Sequence, residues 1–166
     1  MKGTWQIRSL ENMIEEGTGY YAVPCSVKVV AISNRRVLLG LNDRDEWELP
    51  GGWPDQTDLA IVDTAVREVY EETGLRLDTD QFTLVEAELF TPVPGHQVAL
   101  VCFSTTVGHD LKPRRSAEHR EMTWHLVTEL PKNLPEIYHR FISASVDIEG
   151  CQVRGASGRN KSSRST

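Results

Sequence analysis

The sequence predicts a mixed α/β domain with a sheet between helices. Three observations carry this. Short β-branched and apolar runs recur along the chain. Two segments instead repeat their apolar residues at three- and four-residue steps, the period of a helix with one buried face. The two kinds alternate as strands, helix, strands, helix, which calls for layers packed on a common core. At 166 residues, 39% hydrophobic and 25% charged, the chain has the composition of a globular protein and the length for one domain.

Taken in order, "WQIRSL" near the start reads as a short strand. "SVKVVAIS" (26–33) and "RVLLGLN" (36–42) read as two strands joined by a tight turn at "NR". "NDRDEW" is a polar loop, and the prolines and glycines of "ELPGGWPD" exclude regular structure there. A helix is expected from Asp58, whose side chain can cap the free amides of the first turn, to Gly74, which tolerates a left-handed helix end. Val62, Ala65, Val66 and Val69 form its apolar stripe. "FTLVEAELF" and "HQVALVCFSTTV" follow as strands around the turn-rich "TPVPG", then the strand "EMTWHLV". A last amphipathic helix starts near Pro135, with Ile137, Phe141 and Ile142 turned inward.

Bulk properties exclude several functions. No apolar run approaches the roughly 18–20 residues of a membrane helix, and the charged N-terminus is unlike a signal peptide. Cys25, Cys102 and Cys151 have no metal-knuckle or CxxC spacing, so they read as reduced structural thiols of a cytoplasmic protein. The net charge of −6 hides an asymmetry: residues 151–166 carry Arg154, Arg159, Lys161 and Arg164 and no acid, which leaves −10 on the rest. An acidic body argues against a stable nucleic-acid complex. The Ser-, Gly- and Arg-rich end reads as a disordered tail.

The stretch "REVYEETGL" (67–75) poses the chemical question. Glu68, Glu71 and Glu72 stand at i, i+3 and i+4, so they share one helix face, away from the valine stripe. Two readings stay open: a solvated acidic face, or a ligand set for a hard cation. Like charges at this spacing cost a few tenths of a kcal/mol per pair, and negative charge near a helix C-terminus opposes the macrodipole. Oxygen ligands suit Mg2+ or Mn2+, and Mg2+ commonly joins carboxylates to substrate phosphates.

The longer stretch "GGWPDQTDLAIVDTAVREVYEETGL" resembles the Nudix hydrolase signature: G, five residues, E, seven residues, then RE, an aliphatic, any residue, EE, any residue, G, an aliphatic. Arg67, Glu68, Val69, Glu71, Glu72, Gly74 and Leu75 match its second half. The first half departs from it: Asp58 replaces the first glutamate, Thr57 replaces a frequent glycine, and eight residues separate Asp58 from Arg67. That departure sets aside a role for Asp58 and leaves the glutamate trio intact.

The resemblance implies a Nudix fold, an α/β/α sandwich around a mixed β-sheet. The domain is expected over residues 20–146, after an N-terminal extension (1–19) and before a basic tail (147–166). It implies a Mg2+- or Mn2+-dependent hydrolase that cleaves the pyrophosphate bond of a nucleoside diphosphate linked to X: an ADP-ribose-like compound, a (d)NTP or a nucleotide sugar. Glu68, Glu71, Glu72 and the Gly51 carbonyl would face metal, and Arg67 would orient a glutamate. Glu118 is the expected additional acid, chosen over Glu121 by its offset from Trp124. Glu68, Glu71 and Glu118 all remain open as general base. Arg44, Gly52 and Trp53 are expected at the substrate; Trp47 reads as core, Arg114 and Arg115 are weaker phosphate candidates, and the five histidines receive no role. The expected partner is a nucleotide-type small molecule, with a homodimer possible. The rival reading is a catalytically silent Nudix domain that senses a nucleotide or regulates a partner.

Overall fold

The computed structural model describes residues 22–108, 112–114 and 118–157. The strand expected at "WQIRSL", Arg115 and residues 158–166 of the tail lie outside them.

The β-branched run after Cys25 forms β1 (Cys25–Ser33), the central strand, buried on both faces. Strand alternation sends Val27, Val29 and Ala31 to one side and Lys28, Val30 and Ile32 to the other. Asn34 and Arg35, with φ of 48° and 60°, make a tight turn whose hand suits a hairpin. It leads into β2 (Arg36–Leu41). β1 and β2 pair only beside this turn, at Ile32–Val37 and Ser33–Arg36. Beyond it they part, and the gap is filled from both sides. The two-residue strand β3 (Trp47–Glu48) pairs with β2. The amides of Val27 and Val29 donate to the carbonyls of Gly52 and Pro50, each at 2.8 Å.

On its other edge β1 runs parallel to β5 (His96–Thr106), in register from Cys25–Ala99 to Ile32–Thr106. β4 (Thr83–Val93) pairs antiparallel with β5, and β6 (Glu121–Leu126) antiparallel with β2. The sheet is therefore mixed, as expected.

Helix α1 (Ile61–Thr73) covers one face, with Ala65 and Val69 packed against Val27, Val29, Ala31 and Leu38. Helix α2 (Glu136–Ser157) covers the other, with Ile137, Tyr138, Phe141 and Ile142 against Val30, Ile32 and Leu39. Each fully buried aliphatic or aromatic side chain contributes about 1.5–3 kcal/mol. The result is an α/β/α sandwich. No helix among the described residues is long and apolar enough to cross a membrane.

Three boundaries differ from the sequence reading. α1 starts at Ile61 rather than Asp58, because Asp58 is drawn to Arg67. Its start is satisfied by Asp63, whose carboxylate accepts from the amides of Leu59 (3.0 Å) and Ala60 (2.8 Å). "WE" forms β3 where a loop was expected, since the parting of β1 and β2 exposes backbone for it to pair with. α2 continues past residue 146 to Ser157. Gly74 does end α1 in the left-handed region (φ 73°), its amide donating to Tyr70 O at 2.8 Å. Cys25 and Cys102 are free thiols.

Candidate active site

The site assembles where β1 and β2 part. Gly51 lies at the centre of the inserted turn with φ of 139°, a conformation other residues rarely adopt. A Cβ there would fall 2.1 Å from the Val27 carbonyl oxygen. Its two polar atoms face different partners. The amide donates to Glu72 Oε2 at 3.0 Å, on the α1 side. The carbonyl accepts from Lys28 Nζ at 3.2 Å, on the α2 side.

On the α1 side, Arg67 gathers the acids. Its Nη2 and Nε donate to the two carboxylate oxygens of Asp58 at 2.9 and 3.2 Å. Nη1 donates to Glu68 Oε1 at 2.7 Å and Glu71 Oε2 at 3.3 Å. Nη2 also reaches the Trp53 carbonyl at 2.8 Å. Thr64 and the Asp55 amide complete the shell of Asp58. The forked guanidinium matches such planar partners. The Arg67 hydrogen bond holds Asp58 well below the usual carboxylate range, and Asp58 in turn raises Arg67.

The glutamates differ in setting. Glu71 is exposed. Burial raises Glu68 above its ordinary value; Arg67 opposes this, while Glu71 and Glu118 add to it. Glu72 is 4% exposed, and burial lifts it to about 7 against the pull of Lys28, His119 and the Gly51 amide. Gly52 lets Glu68 lie against the turn: a Cβ at Gly52 would meet that carboxylate at 2.6–2.8 Å.

On the α2 side sits a second, buried polar group. Lys28 Nζ donates to the carbonyls of Leu49 (3.3 Å) and Gly51, lies 3.7 Å from Glu48 Oε2, and stands 5.9 Å from the Tyr138 ring centroid. His119 Nε2 is 3.2 Å from Glu48 Oε1, and its ring packs over Gly40. Burial alone would raise Glu48, yet His119 and Lys28 hold it at about 2. Burial would depress Lys28, but Tyr138, Glu48, Glu72 and Glu68 keep it above its usual value.

Among the described residues no three acidic or histidine side chains converge as a cage for one metal ion. Glu68 and Glu71 are turned onto Arg67, and Glu72 onto the Gly51 amide. The donor set nevertheless fits a hard divalent cation. It is all carboxylate oxygen, crowded by like charge, and its buried members are short of counter-charge. Asp58 keeps Arg67 paired if Glu68 and Glu71 rotate towards an ion.

The other expected residues are spread around this turn. Glu118 is exposed, near enough for its charge to raise Glu68. Glu121, on β6, accepts from Thr123 Oγ1 at 2.6 Å. Arg44 lies on the exposed loop and pairs with Glu46 at 3.0 Å. Trp53 is 48% exposed beside the turn. Trp47 is half-buried against the core, edge-on to His125. The Arg114 amide binds the Thr73 carbonyl at 2.7 Å.

Lys28, Glu48 and His119 were missed in the sequence reading, and Asp58 was set aside. One signal was present: Lys28 is the sole charge in "SVKVVAIS". Glu48 and His119 gave none, since their pairing spans distant segments.

This arrangement can be set against known proteins. The model of the NUDIX domain matches residues 24–144. The chain belongs to the Nudix family. A MutT-like protein of Streptomyces ambofaciens is 29% identical over 140 residues, covering 84% of this chain and 86% of that protein. The MutT/nudix family protein of Enterococcus faecalis superposes with a TM-score of 0.68 at 19% identity. That match covers 82% of this chain and 66% of the other, so this chain spans just under two thirds of its length. The NUDIX domain of Shewanella oneidensis NrtR, crystallised with ADP ribose, superposes with a TM-score of 0.67 at 17% identity, covering 81% and 94%. The architecture is thus the Nudix fold. Within it Asp58 lies in the loop ahead of α1 and faces the arginine.

Proposed function

We propose that this Nudix domain is a divalent-cation-dependent hydrolase that cleaves the pyrophosphate bond of a nucleoside diphosphate linked to a further group. The observation that carries the reading is the placement of Glu68 and Glu71 on Arg67, and of Glu72 on the Gly51 amide, against the side-chain-free Gly51–Gly52 turn. An acidic chain repels a polyanionic diphosphate unless its local field is inverted. Mg2+ or Mn2+ held by Glu68, Glu71, Glu72 and Glu118 would neutralise the diphosphate oxygens and polarise the phosphoryl group.

The chain's own residues supply the rest. Arg67, fixed by Asp58, keeps Glu68 and Glu71 from collapsing elsewhere. Glu72 anchors the turn through the Gly51 amide. Gly52 allows close approach of the substrate. Glu68, Glu71 and exposed Glu118 are the candidates to take the proton of the attacking water. Trp53 offers a face for a base, and Arg44 a charge for a phosphate. Water adds across the P–O–P bridge, and two phosphorylated products leave. The ADP ribose bound by the NrtR domain supports an ADP-ribose-like substrate as the first to try.

The test is a panel of ADP-ribose, nucleoside triphosphates and nucleotide sugars with Mg2+, Mn2+ or EDTA, with the products identified. Cation-dependent release of a nucleoside monophosphate or of pyrophosphate is expected. Tight binding of one nucleotide with no turnover of any would make the domain a sensor instead.

A further inference from the structure

The Gly51 carbonyl already has a cation on it. Lys28 projects from the α2 face of β1 between Val27 and Val29, with its side chain only 10% exposed. An ammonium has three protons and no acceptor. Lys28 has three acceptors around it: Leu49 O at 3.3 Å, Gly51 O at 3.2 Å and Glu48 Oε2 at 3.7 Å. Its charge also reaches Glu72 and Glu68 across the turn. Stripping a buried ammonium of such partners is costly. A divalent ion bonded to the same carbonyl would in addition stand against a fixed positive charge.

We infer that Lys28 is a built-in cation of this site: it holds the Gly51 carbonyl and Glu48, so that divalent ions bind through the carboxylates and not through that carbonyl. The inference rests on the reading of the carboxylates as metal ligands. It makes Lys28 a positioning residue. The ammonium occupies the Gly51 carbonyl and neutralises one charge of the acidic basin without a metal. A lysine that merely straps the turn predicts the opposite response when it is removed: the turn loosens, and metal binding weakens with it.

The test is Mn2+ titration by calorimetry, without nucleotide, on the wild type, Lys28→Met and Lys28→Arg, with circular dichroism to confirm folding. Lys28→Met is expected to bind Mn2+ at least about tenfold more tightly, or to take up one ion more, because a repelling charge is gone and a carbonyl is free. Lys28→Arg is expected to stay near the wild type. Unchanged or weaker binding by folded Lys28→Met would overturn the inference. Should that variant not fold, wild-type crystals soaked in Mn2+ decide. Anomalous density on the glutamates, with Nζ still on the Gly51 carbonyl, supports the inference; an ion bonded to that carbonyl with Lys28 displaced refutes it. No ion anywhere removes both this inference and the metal reading beneath it. Ions on the glutamates without turnover of any nucleotide remove only the hydrolase reading.

Discussion

The two sides of Gly51 are built on different plans. Towards α1 lies an acidic face partly open to water: Asp58, Glu68 and Glu71 on one arginine, Arg67, and Glu72 on the Gly51 amide, all within the stretch from Asp58 to Glu72. Towards α2 lies a closed group, Lys28, Glu48 and His119, drawn from β1, β3 and the loop before β6. The first is local and adjustable, because Glu68 and Glu71 each have one arginine to leave. The second is long-range, held by the Lys28–Glu48 and His119–Glu48 pairs with His119 Nδ1 left without a partner, and it serves as a fixed wall. A site that must admit an ion and a substrate on one side while keeping its turn rigid has reason to divide the work this way.

Four experiments would sharpen or break the contrast. The largest effect is expected on the open side. Glu71→Gln or Glu72→Gln should cut turnover by at least about a thousandfold while the far-ultraviolet spectrum stays native. Wild-type rates at saturating Mg2+ would remove these residues from the mechanism. Next comes the turn between the sides. Gly51→Ala drives a Cβ into the backbone oxygen of Val27 and should cost more than about 3 kcal/mol in denaturant unfolding. Gly52→Ala meets only the movable end of Glu68, so it should fold and lose activity instead. Equal stabilities for the two variants would contradict the assigned geometry.

Asp58→Asn should leave Arg67 loosely held and lower kcat about tenfold, with little change in melting temperature. An unchanged kcat would show that the arginine needs no such anchor. The last effect concerns pH, and only in metal-free protein. Burial raises Glu72 from 4.5 to about 7, so the folded chain keeps a proton that the unfolded chain has lost between those values. Its stabilising contribution is complete below about pH 4.5 and declines as pH rises towards 7. With EDTA present, Glu72→Gln should therefore gain on the wild type by up to about 3 kcal/mol from pH 4.5 to 8. A stability difference that does not vary with pH would place the Glu72 charge in water.

The same contrast explains how far the sequence could be read. The α1 side was legible because helix geometry turns spacing into adjacency: i, i+3 and i+4 place Glu68, Glu71 and Glu72 on one face whatever the fold. The strands other than β3, the start of α2 and the inward set Ile137, Phe141 and Ile142 were legible for the same reason, since periodicity reports burial. Asp58 was judged by its role as a cap. That judgement failed because a guanidinium with two free donors outcompetes the amides of a first turn. Glu48 and His119 meet only after β2 has paired with β3 on one stretch and with β6 on another, and no local pattern encodes that.

The parallel register of β1 and β5 has a consequence for how this chain can change over time. Eight consecutive residues, Cys25 to Ile32, are matched to partners, and every second one points to the opposite layer. Gaining or losing a single codon there would swing the amine into the valine-lined half of the molecule and bring a valine to the carbonyls that it now grips. Length variation among descendants of this gene should therefore gather at the Asn34–Arg35 reversal and in the irregular run between Trp53 and Ala60, and spare the β1 strand.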